Sequence, residues 1–275
     1  MTEEEMQKEE RRMFFEAVKE QCYVDLNKKM DLPPIALSCG YNVSQSNGLK
    51  KYDIPICTYG NFSFIQAPPK SFKTFFVSLL AASYASNNCE NRGQLKSFRK
   101  DEHIIHFDTE QSKYHSKIVM DRLRRMNPTL DTSSFYHTYA LREIGYSSSI
   151  EFIEACLEDL EYDGKKIGFV IIDGVADLVS EANNQAESNE LVQKLMTWTT
   201  RFNCHIATVI HSNFGTAKPT GHLGSLLEKK AETQIELSFD SMKGKTMASC
   251  KRSRNIPFKD FHFHLDKYNL PKYDE

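Results

Sequence analysis

FSFIQAPPKSFKTFFVSLLAASY, residues 62–84, is the segment from which the rest of the chain can be interpreted. An apolar run typical of a buried strand comes first, a Pro-Pro loop follows, and a long apolar run typical of a buried helix ends the segment. We predict a strand over Phe62–Gln66 and a helix over Thr74–Ser86. Lys73 and Thr74 then fall at the first turn of this helix.

The loop between this strand and this helix has the size of a phosphate-binding loop. Backbone N–H groups at a helix N-terminus bind phosphate oxygens, a lysine neutralises their charge, and a Ser or Thr hydroxyl reaches Mg²⁺. Lys73 and Thr74 are then the lysine and the hydroxyl of a P-loop, whose standard pattern is G-x-x-x-x-G-K-[ST]. The predicted phosphate-binding residues are Pro69, Lys70, Ser71, Phe72, Lys73 and Thr74.

Both glycines of that pattern are replaced, by Ala67 and Phe72. If Ala67 needs a positive φ, its Cβ costs on the order of 1 kcal/mol. Phe72 precedes the lysine, so its ring must point away from the nucleotide. Pro68 and Pro69 lack N–H groups and stiffen the loop. The segment therefore predicts nucleotide binding more strongly than hydrolysis.

Apolar strands alternate with helices along most of the chain, which predicts an α/β fold with a mainly parallel sheet covered on both faces. We expect one domain over residues 34–275, preceded by an N-terminal helical arm over residues 1–33. The sequence favours equally an arm packed on its own domain and one docked on a neighbouring subunit. Further strands are predicted at Ile104–Phe107, Phe135–Ala140, Gly168–Ile172 and His205–Ile210, with helices at Ser112–Met126, Ser149–Glu161 (capped by a serine) and Glu190–Phe202. Three short strands, Thr233–Phe239, Thr246–Lys251 and Phe261–Leu265, are expected to be antiparallel at the C-terminal edge of the sheet.

Polar side chains end three of these strands, at the edge where ligands bind in parallel sheets. Asp173 ends the apolar run FVIID and is the expected second Mg²⁺ anchor, of the Walker B type. Asp108 and Glu110 follow another strand, where a general base for water attack and a simple helix-capping turn are equally compatible with the sequence. His211 ends a third strand and is suited to sensing a γ-phosphate, although an isolated histidine there is more often structural.

Composition places few limits on function. The chain of 275 residues is 40% hydrophobic and 26% charged, with a net charge of −2, so any contact with nucleic acid must come from local basic patches. Seven scattered cysteines are typical of a reduced cytosolic protein. The highly charged first dozen residues predict no signal peptide, and no stretch predicts a membrane span. We expect cytoplasmic localisation and no membrane partner.

The order and spacing of these motifs resemble the RecA-like P-loop ATPase superfamily. The resemblance is greatest to its hexameric branch, which contains replicative helicases and the RepA-type helicases of plasmids and mobilisable elements in Bacteroides-type bacteria. VIIDGVADL, residues 170–178, is similar to the Walker B segment of recombinases, and HFDTEQ, residues 106–111, to their strand-Asp-x-Glu motif. The later segments GHLGSLLEKKAE (221–232) and CKRSRN (250–255) are also similar, so the resemblance covers about residues 35–265.

The phosphate loop of the RepA-type relatives also lacks the second glycine of the general pattern. Their loop has the unusual sequence G-K-A-K-S-R-K-T. Lys70, Ser71, Lys73 and Thr74 match that sequence, whereas Ala67 replaces its first Gly and Phe72 its Arg. A large side chain before the lysine is therefore compatible with this group.

The resemblance implies roles for particular residues and a set of partners. Glu110 is expected to polarise the attacking water, and Arg252 and Arg254, with Lys251 as an alternative, to reach the γ-phosphate of a neighbouring subunit. The implied cofactors are ATP and Mg²⁺, and the implied assembly is a homo-oligomer, most simply a hexamer. Single-stranded DNA is a possible partner, contacted by loops at about Ser180–Asn189 and Ser212–Lys230.

Several alternatives remain open from the sequence. The basic C-terminal cluster and the helix around Arg122, Arg124 and Arg125 are also compatible with simple solvent-exposed charge. The altered glycine positions favour a non-hydrolysing regulator or assembly scaffold gated by nucleotide. The DNA-acting ATPase, a helicase or translocase for a mobile element, is favoured by the joint presence of Lys73, Thr74, Glu110 and Asp173. A small-molecule kinase ranks last, because no lid with clustered arginines is evident.

Overall fold

The computed structural model describes residues 3–44, 50–86, 93–212 and 218–274. The chain divides into two compact units, Met1–Leu32 and Pro33–Glu275. The first unit contains helix α1 (Glu3–Cys22), which has acidic residues in its first turn and Lys19 in its last, in keeping with the helix dipole.

The second unit contains the alternating strands and helices. In chain order it consists of β1 (Ile35–Ser44), β2 (Lys50–Thr58), β3 (Phe62–Ala67), α2 (Lys73–Ala85), β4 (Leu95–Ser97), β5 (His103–Asp108), α3 (Lys113–Met126), β6 (Tyr136–Ala140), α4 (Tyr146–Tyr162), β7 (Ile167–Asp173), α5 (Gln185–Arg201), β8 (His205–His211), α6 (Gly221–Lys230), β9 (Thr233–Asp240), β10 (Lys245–Ser253), β11 (Phe261–Leu265) and β12 (Pro271–Asp274). Short 3-10 helices occur at Thr132–Ser134 and Val175–Leu178.

A large sheet with the strand order β12-β11-β10-β9-β3-β8-β7-β5-β6 forms the centre of this unit. Neighbouring strands from β9 to β6 pair in parallel, whereas β10, β11 and β12 pair antiparallel. The predicted α/β class, with a mainly parallel sheet and antiparallel strands at its C-terminal edge, is confirmed. For Thr233–Phe239 the antiparallel prediction holds on one side only, because β9 pairs antiparallel with β10 and in parallel with β3.

Helices cover both faces of the sheet, which explains why its central strands are mainly apolar. On β7, Phe169 and Ile171 pack into the core beneath α2, whereas Val170 and Ile172 pack into the core beneath α4 and α5. A strand buried on both faces cannot alternate apolar with polar residues. The carboxylate of Asp173 is the first polar group that this strand supplies.

Several elements differ from their predicted form. Helix α4 begins at Tyr146 after Gly145, so Ser149 lies buried inside the helix and does not cap it. Helix α6 occupies most of the predicted loop Ser212–Lys230, because Leu223 and Leu227 lie one turn apart and are both buried. A separate antiparallel sheet, β2-β1-β4, was not predicted.

No helix among the described residues combines the length and the apolar character needed to cross a membrane.

Candidate nucleotide-binding site

The polar residues that end the central strands lie side by side at one edge of the sheet. Ala67, the last residue of β3, is level with His211 at the end of β8. Asp173 on β7 is level with Val209 on β8 and with Asp108 on β5. Parallel strands bring their carboxyl ends to one edge, so the separate sequence motifs converge there. We call this the carboxyl edge, and the opposite end of these strands the amino edge.

The loop from β3 to α2 follows a tight path with two residues in the left-handed region. Lys70 has φ 63° and Phe72, which precedes α2, has φ 61°. Ala67 is not among the residues with positive φ in the described chain, so the strain expected there is absent. It falls instead on Lys70 and Phe72, because a left-handed conformation costs about 1–2 kcal/mol in a residue with a Cβ.

The Phe72 ring packs against other aromatic rings. Its centroid lies 4.8 Å from that of Phe239 on β9 and 5.6 Å from that of Phe75, both edge-on. The amides of Phe75 and Phe76 both bond to the Phe72 carbonyl. Among the described residues, no partner is present for the earlier amides of this helix start, so they can bind an anion. Pro69, counted above among the phosphate-binding residues, has no N–H and contributes shape alone.

Lys73 is buried and points into the carboxyl edge. Its Nζ lies 3.0 Å from His211 Nδ1 and donates to the Pro68 carbonyl at 3.4 Å. Burial lowers the pKa of the Lys73 ammonium, while the negative charges of Glu110 and Asp173 oppose that shift. A phosphate that binds this ammonium would replace the long hydrogen bond to the Pro68 carbonyl.

Asp173 and Thr74 form a pair of oxygen ligands beside this lysine. Thr74 Oγ1 donates to Asp173 Oδ2 at 3.3 Å. Burial raises the pKa of the Asp173 carboxyl to about 7, and the charges of Asp108 and Glu110 contribute to the rise. A buried carboxylate beside like charges and next to a hydroxyl matches the hard oxygen ligands that Mg²⁺ prefers, so the residues present fit this ion.

Glu110 is joined to Lys73 through one histidine. His211 Nε2 lies 3.0 Å from Glu110 Oε1, while Nδ1 of the same ring faces the lysine. Because a carboxylate accepts and an ammonium donates, we infer that Nε2 carries the ring proton. The hydrogen bond from His211 lowers the pKa of Glu110, so this carboxylate is ionised at neutral pH.

Asp108 serves as a cap for the turn that follows β5. It is fully buried, and its oxygens accept hydrogen bonds from the amides of Glu110 and Gln111 and from the Ser116 hydroxyl. Of the two acidic residues considered as a general base, Asp108 therefore has its oxygens occupied. Glu110 is more than a third exposed and faces the site.

The C-terminal arginines lie at the opposite edge of the sheet. Arg252 is level with Gln234 at the start of β9, and its guanidinium contacts Glu228 at 2.9 Å. Arg254 donates to the Lys230 carbonyl, and Lys251 contacts Glu236. The fold therefore does not bring these residues to the phosphate loop of their own chain.

The other proposed basic and loop surfaces need correction. Arg122 is buried, stacked over the Phe75 ring at 3.8 Å and bonded to Ser78, so it belongs to no exposed patch. The predicted channel loop Ser180–Asn189 is partly helical, because α5 begins at Gln185. In the second loop, residues 213–217, which include Asn213, lie outside the described residues.

Three residues of the site were not identified from the sequence. Thr109 and Asp177 contact one another beside Glu110, and Gly174 (φ 106°) lies against both. The Asp-Gly pair after an apolar strand is a signal for a turn with positive φ that could have identified Gly174. A cavity of about 600 Å³ opens here, lined among others by Glu110, Asp177 and His211.

Comparisons with known proteins identify the class to which this chain belongs. The chain belongs to the AAA domain family, whose model matches residues 49–217. That range contains the phosphate loop, Glu110, Asp173 and His211, whereas Arg252 and Arg254 lie outside it.

The fold is that of a RecA-like P-loop ATPase domain. The chain is similar to a solved structure titled "ATPase Domain of G40P", with a TM-score of 0.56 and 15% sequence identity. The similarity covers 78% of this chain and 85% of that one. No curated protein matches the chain. Membership of this class implies nucleotide binding.

Proposed function

We propose that this protein binds ATP with Mg²⁺ at the carboxyl edge and hydrolyses it to act on DNA. The observation that supports this best is the convergence of Lys73, Asp173 and Glu110 from three separate parts of the chain: His211 joins Lys73 to Glu110, and Asp173 contacts Thr74, the residue after Lys73. A cation, a metal-ligating carboxylate and an ionised base are the parts that phosphoryl transfer to water needs.

The residues of the loop divide the task of binding. Lys73 and the amides at the start of α2 hold the phosphates, and Thr74 and Asp173 hold Mg²⁺, which when bound neutralises charge on the phosphate oxygens. Glu110 then orients water and accepts its proton. Its ionisation at neutral pH follows from the hydrogen bond with His211.

His211 is the proposed sensor of the γ-phosphate. In this structure its two ring nitrogens are shared between Lys73 and Glu110. A γ-phosphate that attracts the Lys73 ammonium would remove it from His211 Nδ1. Because His211 Nε2 stays bonded to Glu110, this change in the histidine would be passed directly to the proposed base. The carbonyl of His211 also accepts from the Thr220 hydroxyl at 2.7 Å, so the strand end is bonded to the start of α6.

Completion of the site in trans is proposed for Arg252 and Arg254. Both lie at the amino edge, away from Lys73 in the same chain. They can stabilise charge on a nucleotide only in a neighbouring subunit, which supports a homo-oligomer, most simply the hexamer of the branch that the sequence resembles. Single-stranded DNA of a plasmid or other mobile element is the proposed target, and this rests on the same resemblance.

A second function is a nucleotide-gated regulator or assembly scaffold that does not hydrolyse ATP. The strained backbone at Phe72 favours it, as does the missing N–H at Pro69. The proline leaves one amide fewer for a γ-phosphate, and the left-handed backbone at Phe72 adds strain to the loop. The two functions differ in one measurable quantity, the rate of turnover of bound ATP.

The test is ATP hydrolysis by the purified protein with Mg²⁺, measured across protein concentrations with and without single-stranded DNA. We expect turnover that rises more than linearly with protein concentration and increases with DNA. Lys73→Ala should abolish both binding and turnover. Measurable ATP binding by the wild type without turnover would instead establish the regulator.

Mixing two inactive variants tests the action in trans. Lys73→Ala damages the phosphate loop and Arg252→Ala the proposed finger, so a mixed oligomer regains intact sites where a subunit with an intact loop meets one with an intact arginine. We expect partial recovery of turnover on mixing. An Arg252→Ala variant with wild-type turnover by itself would contradict the role of this arginine.

A further inference from the structure

Arg122 on α3 is a buried cation that lies against helix α2. Its guanidinium carbon is 3.8 Å from the centre of the Phe75 ring, and its Nη1 donates to Ser78 Oγ at 2.9 Å. In the described part of the chain, no acidic residue forms an ion pair with this guanidinium. Burial lowers the pKa of Arg122 to about 10, so the side chain stays charged at neutral pH.

A buried cation of this kind is a poor way to stabilise a fold. The removal of a charge from water is unfavourable, and an opposite charge, which would offset part of that loss, is missing here. The face of the Phe75 ring attracts the guanidinium and recovers only some of it. A methionine would fill the same space without the loss. The presence of an arginine therefore indicates a role other than stability.

The Ser78 hydroxyl fixes the orientation of the guanidinium. Ser78 Oγ donates its single proton to the Thr74 carbonyl at 2.8 Å, which leaves only lone pairs for Arg122. Each group in this chain of contacts is thus either a donor or an acceptor. Because the N–H groups of a guanidinium lie in its plane, the bond to Ser78 leaves the flat face free to stack on the Phe75 ring.

The Phe75 ring connects Arg122 to the phosphate loop. It packs edge-on against the Phe72 ring, with the centroids 5.6 Å apart, and Phe72 packs in the same way against Phe239. Phe72 has φ 61°, a conformation that glycine adopts without steric cost. A residue with a Cβ keeps such a conformation only where its surroundings hold it. The row of side chains from Arg122 to Phe239 provides those surroundings.

We propose that Arg122 is a positioning residue that acts through the Phe75 ring to hold Phe72 in its left-handed conformation and the phosphate loop in its binding conformation. The proposal rests on the proposed function in taking this loop as the phosphate site. Without Arg122 only a fraction of the molecules has the binding conformation, and the apparent affinity for nucleotide falls by that fraction. The groups that contact bound ATP are unchanged, so turnover at saturation stays the same.

Amide hydrogen exchange without nucleotide tests the effect of Arg122 on the loop. Arg122→Met should speed exchange at the amides of Phe75 and Phe76, which bond to the Phe72 carbonyl, by about tenfold. In a Phe72→Gly background the same change should have less than about a twofold effect, because glycine adopts the positive φ unaided. Arg124→Met, at an exposed position of α3, is the control and should leave exchange unchanged. Wild-type exchange in Arg122→Met, or an equal increase in both backgrounds, would overturn the proposal.

Nucleotide affinity tests the consequence for the site. Titration with Mg²⁺ and a non-hydrolysable imido analogue of ATP should show about tenfold weaker binding by Arg122→Met. Phe75→Leu, which removes the ring and provides the same test if Arg122→Met does not fold, should lose as much. The double variant should bind no worse than either single one.

Two further measurements separate positioning from a structural role. In Arg122→Met, kcat at saturating ATP should stay within about twofold of the wild type, and the melting temperature without nucleotide should not fall. A lower melting temperature with unchanged affinity would show that Arg122 is structural and would overturn the proposal. Absence of nucleotide binding by the wild type would instead refute the proposed function, while hydrogen exchange still decides whether Arg122 holds the loop.

Discussion

The two edges of the central sheet use buried polar groups in opposite ways. At the amino edge, buried Glu232 accepts hydrogen bonds from the amide and hydroxyl of Thr58 and from the Asn255 side chain. At the carboxyl edge, Asp173 is equally buried, but within the described residues its side chain has one hydrogen-bond donor, Thr74 at 3.3 Å. Its other near neighbours include the like charge of Glu110.

This difference separates a structural network from a functional one. A buried carboxylate whose lone pairs are occupied stabilises the fold and has no capacity left for a ligand. A buried carboxylate with few donors costs stability and keeps its lone pairs for a cation. The following predictions test that distinction, in order of decreasing effect.

Glu232→Ala should cause the largest loss of stability. The change leaves the amide and hydroxyl of Thr58 and the amide of Asn255 without their acceptor, which costs about 3–5 kcal/mol in the free energy of unfolding. Urea denaturation measures it. Glu158→Ala, which removes an exposed ion pair with Arg201, should change stability by about 0.5 kcal/mol or less. Equal losses of stability in Glu232→Ala and Glu158→Ala would contradict the structural role of the Glu232 network.

Asp173→Asn, unlike Glu232→Ala, should increase the stability of the protein. The pKa of Asp173 is about 7 in the folded protein and near 4 when unfolded, so the folded state binds more protons between these values. Wild-type stability is therefore lost as pH rises through about 7. Without Mg²⁺ or nucleotide, Asp173→Asn should be more stable than wild type at pH 8 by about 2–4 kcal/mol, and nearly equal to it at pH 4.

Thermal melts in EDTA at the two pH values measure this difference. The addition of Mg²⁺ should raise the melting temperature of the wild type but not of Asp173→Asn, because the asparagine amide lacks the charge that binds the ion. A variant that is less stable than wild type at pH 8 would show that the Asp173 carboxylate is structural.

Gly174→Ala should destabilise the carboxyl edge by about 2–3 kcal/mol, because the strain of a positive φ and the clash of the new Cβ with Thr109 Oγ1 add together. Gly164→Ala is the matched control. Gly164 has φ 70° with nothing within 4 Å of its built Cβ, so only the backbone penalty of about 1 kcal/mol applies. Equal losses in the two variants would show that the side chains around Gly174 yield easily.

Substitution of Phe72 should give the smallest effect and isolate the strain in the loop. Phe72→Ala and Phe72→Gly both lose the ring contacts with Phe75 and Phe239, but only glycine relieves the positive φ. We expect Phe72→Gly to be more stable than Phe72→Ala by about 1 kcal/mol. If Phe72→Ala is as stable as Phe72→Gly, the backbone of the loop is not strained at this position.

The parallel core and the strand-end residues could be predicted from the sequence because the signals are local. An apolar run as long as 169–172 marks a strand buried on both faces, and the first carboxylate after it must lie at the sheet edge. The parallel pairing of β9 depends instead on its neighbour β3, far away in the chain. The strands β1 and β2 have exposed outer halves, so no strong pattern marks them.

The contact between Thr109 and Asp177 was not predictable for a related reason. It depends on the 3-10 turn at Val175–Leu178, which brings a residue four positions beyond Asp173 back onto the loop after β5. Similarly, the sequence indicated that the glycines of the phosphate loop were missing, but the position of the strain became clear only from the backbone of Phe72.

The most direct test of the central claim is to compare nucleotide binding and ATP turnover in Glu110→Gln and in the wild type. Glu151→Gln, which changes an exposed glutamate on α4, is the control. The amide cannot accept a proton from water, so we expect Glu110→Gln to bind Mg²⁺-ATP normally and to lose about 10²–10⁴-fold in turnover. Wild-type turnover in Glu110→Gln would contradict the assignment of the base, and absence of ATP binding by the wild type would contradict the site itself.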